Sequence, residues 1–232
     1  MSVWFAIPSA RPVDEVSRVV SVWRGMNYKV ALWRDEGAEM PDCDTFLWGG
    51  HDPETVKRSE HAFRDSMPYP GYAEAVNRLA AQVLAMDPEC QWIVCGGDDT
   101  LPDPNKTADE IAEECTAHLG GTFAVMQATG DRFAGGSIDR IAGSPWMGRD
   151  WCERANGGLG PLWPEFTHMF VDECLMRTAL KLGVFWQRRD LTHLHRHFQR
   201  ESDAINSPAV PKPTPSHRRN LTKARNGCSG RP

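Results

Sequence analysis

Residues 91–104 read Gln91-Trp92-Ile93-Val94-Cys95-Gly96-Gly97-Asp98-Asp99-Thr100-Leu101-Pro102-Asp103-Pro104. Trp92 to Cys95 is apolar at every position and too short for a helix after the stop at Pro88, and Ile93 and Val94 are β-branched. Such a run between turn signals is a strand covered on both faces, the kind that lies in the middle of a parallel sheet. It delivers two glycines and two aspartates, and Thr100 to Pro104 then leads stiffly into the next helix. Ligands of open parallel sheets bind beyond the carboxyl ends of the strands, so Asp98 and Asp99 stand where a ligand is expected.

The same alternation repeats on either side. Val3-Trp4-Phe5-Ala6-Ile7 is a second buried run, stopped by Pro8, and Pro8-Ser9-Ala10-Arg11-Pro12 is the turn after it. Val13 to Met26 sets Val16, Val19, Val20 and Trp23 at helical spacing, with Asp14 and Glu15 in the first turn, where the helix dipole favours acids. Lys29 to Trp33 and Thr45 to Trp48 are further strands, ending at Arg34-Asp35 and at Gly49-Gly50. Gly71 to Met86, Asn105 to His118 and Phe170 to Leu182 are patterned as helices. Thr122 to Gln127 is patterned as a strand, and Val184 to Trp186 and Leu191 to Phe198 as late extended segments. Strand–helix alternation of this kind predicts one α/β domain with a mostly parallel central sheet over residues 1–203. Gly157-Gly158-Leu159-Gly160 marks a flexible loop, and residues 150–162 are expected to close over the site as a lid.

Charge is divided unevenly. All 31 Asp and Glu lie within residues 1–203, which carry a net charge of −11, whereas residues 204–232 hold six basic residues and no acid. The acidic body excludes a globally basic nucleic-acid coat. The Pro-rich tail cannot bury a core and is expected to be disordered or adherent, either keeping the protein soluble or meeting a phosphate-bearing partner. Seven cysteines without a CxxC pair make neither a disulfide framework nor a zinc ribbon, which points to a reducing cytoplasm. Apolar runs are too short to span a bilayer, and the start lacks the features of a signal peptide, so no membrane partner is expected.

Three constellations carry chemistry. Asp98 and Asp99 offer hard oxygen ligands to Mg²⁺ or Mn²⁺ bridging a diphosphate, or simply form a polar turn. His193, His195 and His197 alternate, so an extended segment projects all three from one face at metal-ligand spacing; a solvated His-rich edge is the plainer alternative. Asp172 and Glu173 open a helix, where a carboxylate serves either as a general base or as a complement to the dipole. Neither GxGxxG nor a Walker loop occurs.

In this order, the parts resemble nucleotide-sugar-dependent glycosyltransferases of the GT-A fold. Ala6-Ile7-Pro8-Ser9-Ala10-Arg11-Pro12 is similar to that family's first strand and "IPxxxRP" turn, and Gly71 to Arg78 to its "G-x-x-x-A-x-N" helix. Asp98-Asp99-Thr100-Leu101-Pro102-Asp103-Pro104 is similar to its Asp-x-Asp region with "xLPxP", and Trp163 to Gly183 to its acceptor-side acidic motif. The likeness runs from Val3 to Phe198. It implies a Rossmann-like GT-A domain in which Asp99 holds the metal and Asp98 faces the nucleotide ribose or the metal. Pro8, Ser9, Arg11 and Asp35 would hold the nucleoside, one of the three histidines, His195 for preference, would complete metal binding, and Asp172 would be the base of an inverting reaction. Gly97 stands where the first aspartate of the pattern belongs.

The expected activity is therefore transfer of a hexosyl-type sugar from a nucleoside-diphosphate sugar, a UDP-sugar first, to an acceptor hydroxyl with Mn²⁺ or Mg²⁺. Small phage-type enzymes that glycosylate hydroxymethylated pyrimidines in DNA suggest DNA as the acceptor, with Trp146, Trp151 or Trp163 exposed to stack on a flipped base, in a host cytoplasm if the chain is viral. A polysaccharide or other surface glycan is the alternative acceptor. A nucleotidyltransferase and a catalytically silent nucleotide-sugar-binding protein are the readings from other classes, the first disfavoured by the lack of a glycine-rich turn after the opening strand.

Overall fold

The computed structural model describes residues 1–35, 37–49, 71–129, 142–166 and 170–196. His197 and the basic segment 204–232 lie outside them. The chain begins with β1 (Ser2–Pro8), α1 (Val13–Gly25), β2 (Lys29–Asp35) and β3 (Thr45–Gly49), then α2 (Tyr72–Met86) and β4 (Cys90–Cys95). There follow β5 (Thr100–Leu101), α3 (Ala108–Leu119), β6 (Val125–Ala128), β7 (Pro145–Gly148) and α4 (Arg149–Arg154), which runs into a 3₁₀ turn (Ala155–Gly158). The last described elements are α5 (Val171–Lys181), β8 (Phe185–Arg188) and β9 (Leu194–His195).

Seven strands form one sheet in the order β3-β2-β1-β4-β7-β6-β8, and β5 and β9 make a separate antiparallel ribbon. Parallel pairings join β1 to β2 and β4, β2 to β3, and β6 to β8; only β7 is reversed between its neighbours. The result is a Rossmann-like α/β sheet, and its alternation sorts the core. Trp4, Ala6, Ala31, Trp33, Ile93 and Cys95 face a layer containing α2 and α5, while Val3, Phe5, Ile7, Val30, Leu32, Trp92 and Val94 face α1 and α3. Both faces are covered, which is why these strands read as unbroken apolar runs. Among the described residues no helix is long and apolar enough to cross a membrane.

Two elements depart from expectation. Strand β7 has four residues with proline at its head, too little for a pattern. Proline is tolerated as a strand's first residue, and here the Gln127 side chain extends the ladder by accepting the Ser144 N–H. Residues 150–162, expected as a lid, are instead fastened to the body of the domain. Arg149 leaves the amino edge of the sheet, away from Asp98, donating to the carbonyls of Asp87 and Cys90. Trp151 Nε1 donates to the Pro161 carbonyl, and Asn77 on α2 clamps both the N–H and the C=O of Leu162. Gly148 is required at the corner, since a Cβ there would stand 2.1 Å from the Thr122 carbonyl oxygen.

The tryptophans offered for base stacking are corrected as well. Trp146 and Trp151 are buried, and their indole N–H groups donate to His193 Nε2 and to the Pro161 carbonyl. Trp163 is half-buried and packs on the core.

Candidate functional site

Strands β1, β2 and β4 run parallel, so the segments after them emerge at one edge of the sheet. Pro8 ends β1 in register with Trp33, and Ser9 N–H donates to the Trp33 carbonyl. Ser9 and Arg11 then meet the turn after β4. Ser9 Oγ donates to Asp98 Oδ2 at 2.6 Å, and Arg11 Nε donates to Asp98 Oδ1 at 2.8 Å. Both carboxylate oxygens of Asp98 are thus engaged by the β1 turn. Ser9 Oγ also accepts the Arg11 N–H, which fixes the turn against itself.

Arg34, which sequence reading passed over, holds this turn from below. Its side chain is buried, with Nη1 donating to the carbonyls of Ser9 and Arg11 and Nη2 to that of Glu39. A buried guanidinium spanning three carbonyls immobilises backbone that would otherwise be an open loop. The only sequence signal was a cation at the end of an apolar strand. Asp35, the last residue of β2, shares the sheet edge, and its carbonyl accepts the Ala38 N–H. It is not part of the hydrogen-bonded group formed by Ser9, Arg11 and Asp98.

Asp99 faces the other way, toward the ribbon. Pairing of β5 with β9 sets Thr100 opposite His195, and the Arg196 N–H donates to the Asp99 carbonyl at 2.8 Å. His195 Nε2 is thereby brought to 3.1 Å from Asp99 Oδ1. Burial pulls the Asp99 carboxyl up, but the hydrogen bond and charge of His195, aided by Arg11, outweigh it and hold the group below its ordinary value. Tyr72 Oη donates to the Gly96 carbonyl and the Thr100 N–H to the Gly97 carbonyl, so the turn carrying both aspartates is pinned on either side.

Gly97 has a steric role in this turn. A Cβ there would lie 2.3 Å from Asp99 Oδ1. A side chain at position 97 would therefore require Asp99 Oδ1 to move from the place where it meets His195.

The histidines separate by environment. His193 is buried, its Nδ1 2.8 Å from Ser144 Oγ and its Nε2 accepting from Trp146 Nε1. Because an indole N–H can only donate, Nε2 is unprotonated and Nδ1–H donates to the serine, a neutral tautomer with both nitrogens committed. Of the two described histidines of the triplet, His193 is built into the core and His195 is the one beside Asp99.

Among the described residues no group of three or more His, Cys, Asp or Glu side chains forms a metal cage. The Asp99–His195 pair nevertheless fits a shared divalent ion. Two adjacent ligands of an octahedral ion at about 2.1 Å stand about 3 Å apart, so Asp99 and His195 would hold such an ion from one side. Asp172, half-buried in the first turn of α5, lies beside the end of β4, where its charge acts on the Cys95 thiol. Its Oδ1 accepts the Glu173 N–H, and burial pushes its carboxyl above the ordinary value. The edge therefore offers a serine–arginine–aspartate turn, an aspartate–imidazole pair and, at the start of α5, the carboxylate of Asp172. No protein-family model matches the chain, and no curated protein sequence matches it.

Proposed function

We propose that the protein is a metal-dependent, GT-A-type glycosyltransferase that moves a sugar from a nucleoside-diphosphate sugar to an acceptor hydroxyl with inversion. The observation that carries this reading is the 3.1 Å approach of His195 Nε2 to Asp99 Oδ1 at the carboxyl edge, beside the Ser9–Arg11–Asp98 turn. A divalent cation bound by that pair would neutralise charge on the departing diphosphate more in the transition state than in the ground state.

The remaining work falls to the chain. The Arg34-braced turn presents Ser9, Arg11 and Asp98 as donors and acceptors for the nucleoside, already oriented before binding. Arg11, held by Asp98, adds positive charge where the diphosphate would lie. Asp172 Oδ2 would accept the proton of the attacking hydroxyl, since Oδ1 is occupied by the Glu173 N–H. Its raised pKa makes it a better base than an exposed aspartate. With Trp146 and Trp151 in the core, the half-buried Trp163 is what remains of the three for base stacking, and the hydroxymethylated pyrimidine stands beside the surface glycan as a candidate acceptor.

The test is nucleoside diphosphate release from a panel of UDP-, GDP- and CDP-sugars with Mn²⁺, with and without hydroxymethylated DNA or glycan. Release that needs Mn²⁺ and Asp99 supports the reading. No release from any donor by folded protein would move the silent binding protein ahead.

A further inference from the structure

A two-residue strand is a poor platform for a metal ligand, since fixing two residues in a ladder yields few hydrogen bonds against the entropy of ordering them. Yet β9 carries His195 to Asp99, so something besides the β5–β9 ladder must hold it. The structure supplies this on the near side of the ribbon. Asp103 is buried, 3% exposed; its Oδ1 accepts the N–H groups of Asn105 and Lys106, and its Oδ2 accepts the Thr192 N–H at 2.7 Å. One carboxylate thus ties the segment after β5 to the segment before β9, three residues ahead of His195. Immediately beyond, His193 is locked by Ser144 and Trp146 and touches the edge of Trp23, whose Nε1 donates to the Thr100 carbonyl. On the far side the Arg196 N–H is held by the Asp99 carbonyl.

Resting on the proposed metal site, we infer that Asp103 is a positioning residue: through Thr192 it sets the reach of β9 so that His195 Nε2 meets Asp99 Oδ1. The chemistry suits a carboxylate alone. Asp103 uses acceptors on both oxygens, whereas an asparagine would keep one acceptor for Asn105 and Lys106 and turn its NH₂ against the Thr192 N–H. Asp103→Asn therefore severs the ribbon clamp while leaving the entry to α3 intact.

The experiment is direct Mn²⁺ titration of the full chain, read by loss of the free-ion signal in electron paramagnetic resonance, alongside thermal melts. Wild type, Asp103→Asn, Ser144→Ala and Asp99→Ala are compared with Asp87→Asn, a destabilised control at the opposite edge of the sheet. The expected result is loss of Mn²⁺ binding in Asp99→Ala and weakening by about 10–100-fold in Asp103→Asn, the scale of outer-shell support. A smaller loss of about threefold is expected in Ser144→Ala, which removes the hydroxyl facing His193 Nδ1, and none in Asp87→Asn. If Asp103→Asn and Asp87→Asn lower the melting temperature alike while both bind Mn²⁺ as tightly as wild type, Asp103 is structural and the inference is overturned with the metal site intact. If wild type itself does not bind Mn²⁺, the inference and the metal reading fall together.

Discussion

Asp87, buried, and Asp99, half-buried, are carboxylates at opposite ends of the same sheet, and they are held in opposite ways. At the amino edge, Asp87 Oδ2 accepts from Ser2 Oγ, Trp4 Nε1 and Lys29 Nζ, and Oδ1 accepts the Glu89 N–H. Burial alone would raise its pKa, but those four donors hold it far below the usual carboxylate range. At the carboxyl edge, Asp99 Oδ1 meets one imidazole, itself carried on a short ribbon. A carboxylate whose lone pairs are filled by fixed donors stabilises a fold; one paired with an exchangeable ligand can trade that partner for an ion. The chemistry of the two aspartates is the same, and the number of fixed donors sets them apart.

The comparison is sharpest when both carboxylates are removed. Asp99→Ala is expected to lower donor turnover by about 10³-fold, roughly 4 kcal/mol of transition-state stabilisation, with a fall in melting temperature well below that of Asp87→Ala in a thermal scan. Asp87→Ala should do the reverse. It strands the Trp4 indole N–H and is expected to cost about 3 kcal/mol, read as a fall of roughly 6–12 °C, while the remaining folded protein turns over donor normally. Equal losses of stability from both variants would break the comparison.

Acid distinguishes the edges by the same logic. A carboxylate depressed in the folded state contributes stability above its unfolded pKa of about 3.9 that is lost as pH falls toward its folded value. Asp87→Asn should therefore narrow the stability gap between pH 7 and pH 3 in denaturant titrations, since the wild type begins to lose this contribution below about pH 4 and goes on losing it as pH falls further. A smaller effect is expected from Gly97→Asp, which restores the absent aspartate of the resemblance. Because a side chain there collides with Asp99 Oδ1, Mn²⁺ affinity should fall by about tenfold, near 1.4 kcal/mol; a gain in affinity would show that the turn adapts.

Asp172 gives the smallest shift and the opposite sign. Its carboxyl is raised by burial, so the folded state favours the protonated form, and stability drops as pH rises from the unfolded pKa through the folded one. Asp172→Asn should therefore melt about 2–4 °C higher at pH 7, near 1 kcal/mol, a gain that vanishes at pH 3, while acceptor transfer is lost and metal binding is kept.

Much of the fold was legible because both faces of the sheet are covered, which leaves apolar runs at Val3 to Ile7 and Trp92 to Cys95 that no other element explains. The short elements were not. Strand β7 is too brief for a pattern, and α4 hid within a stretch whose glycines suggested mobility, although Gly148 and Gly160 are there because Thr122 and Asn77 approach too closely for a Cβ. At the site, Asp98 and Asp99 could be read from strand-end position and the three histidines from alternation, whereas Ser9, Arg11 and the preference for His195 came from the resemblance alone. Arg34 and Asp103 could not, since each acts through backbone groups distant in sequence, and backbone leaves no residue-type signature.

The central claim is that the carboxyl edge binds a metal–nucleoside diphosphate through Asp99 and His195. Calorimetric titration of UDP, GDP and CDP into the protein with and without Mn²⁺ tests it most directly. The account predicts that one of them binds at least tenfold tighter with Mn²⁺ in wild type and in Asp87→Asn, and that this dependence disappears in Asp99→Ala and His195→Ala. Nucleotide binding that is absent, or equally tight without Mn²⁺ and indifferent to both substitutions, would contradict it.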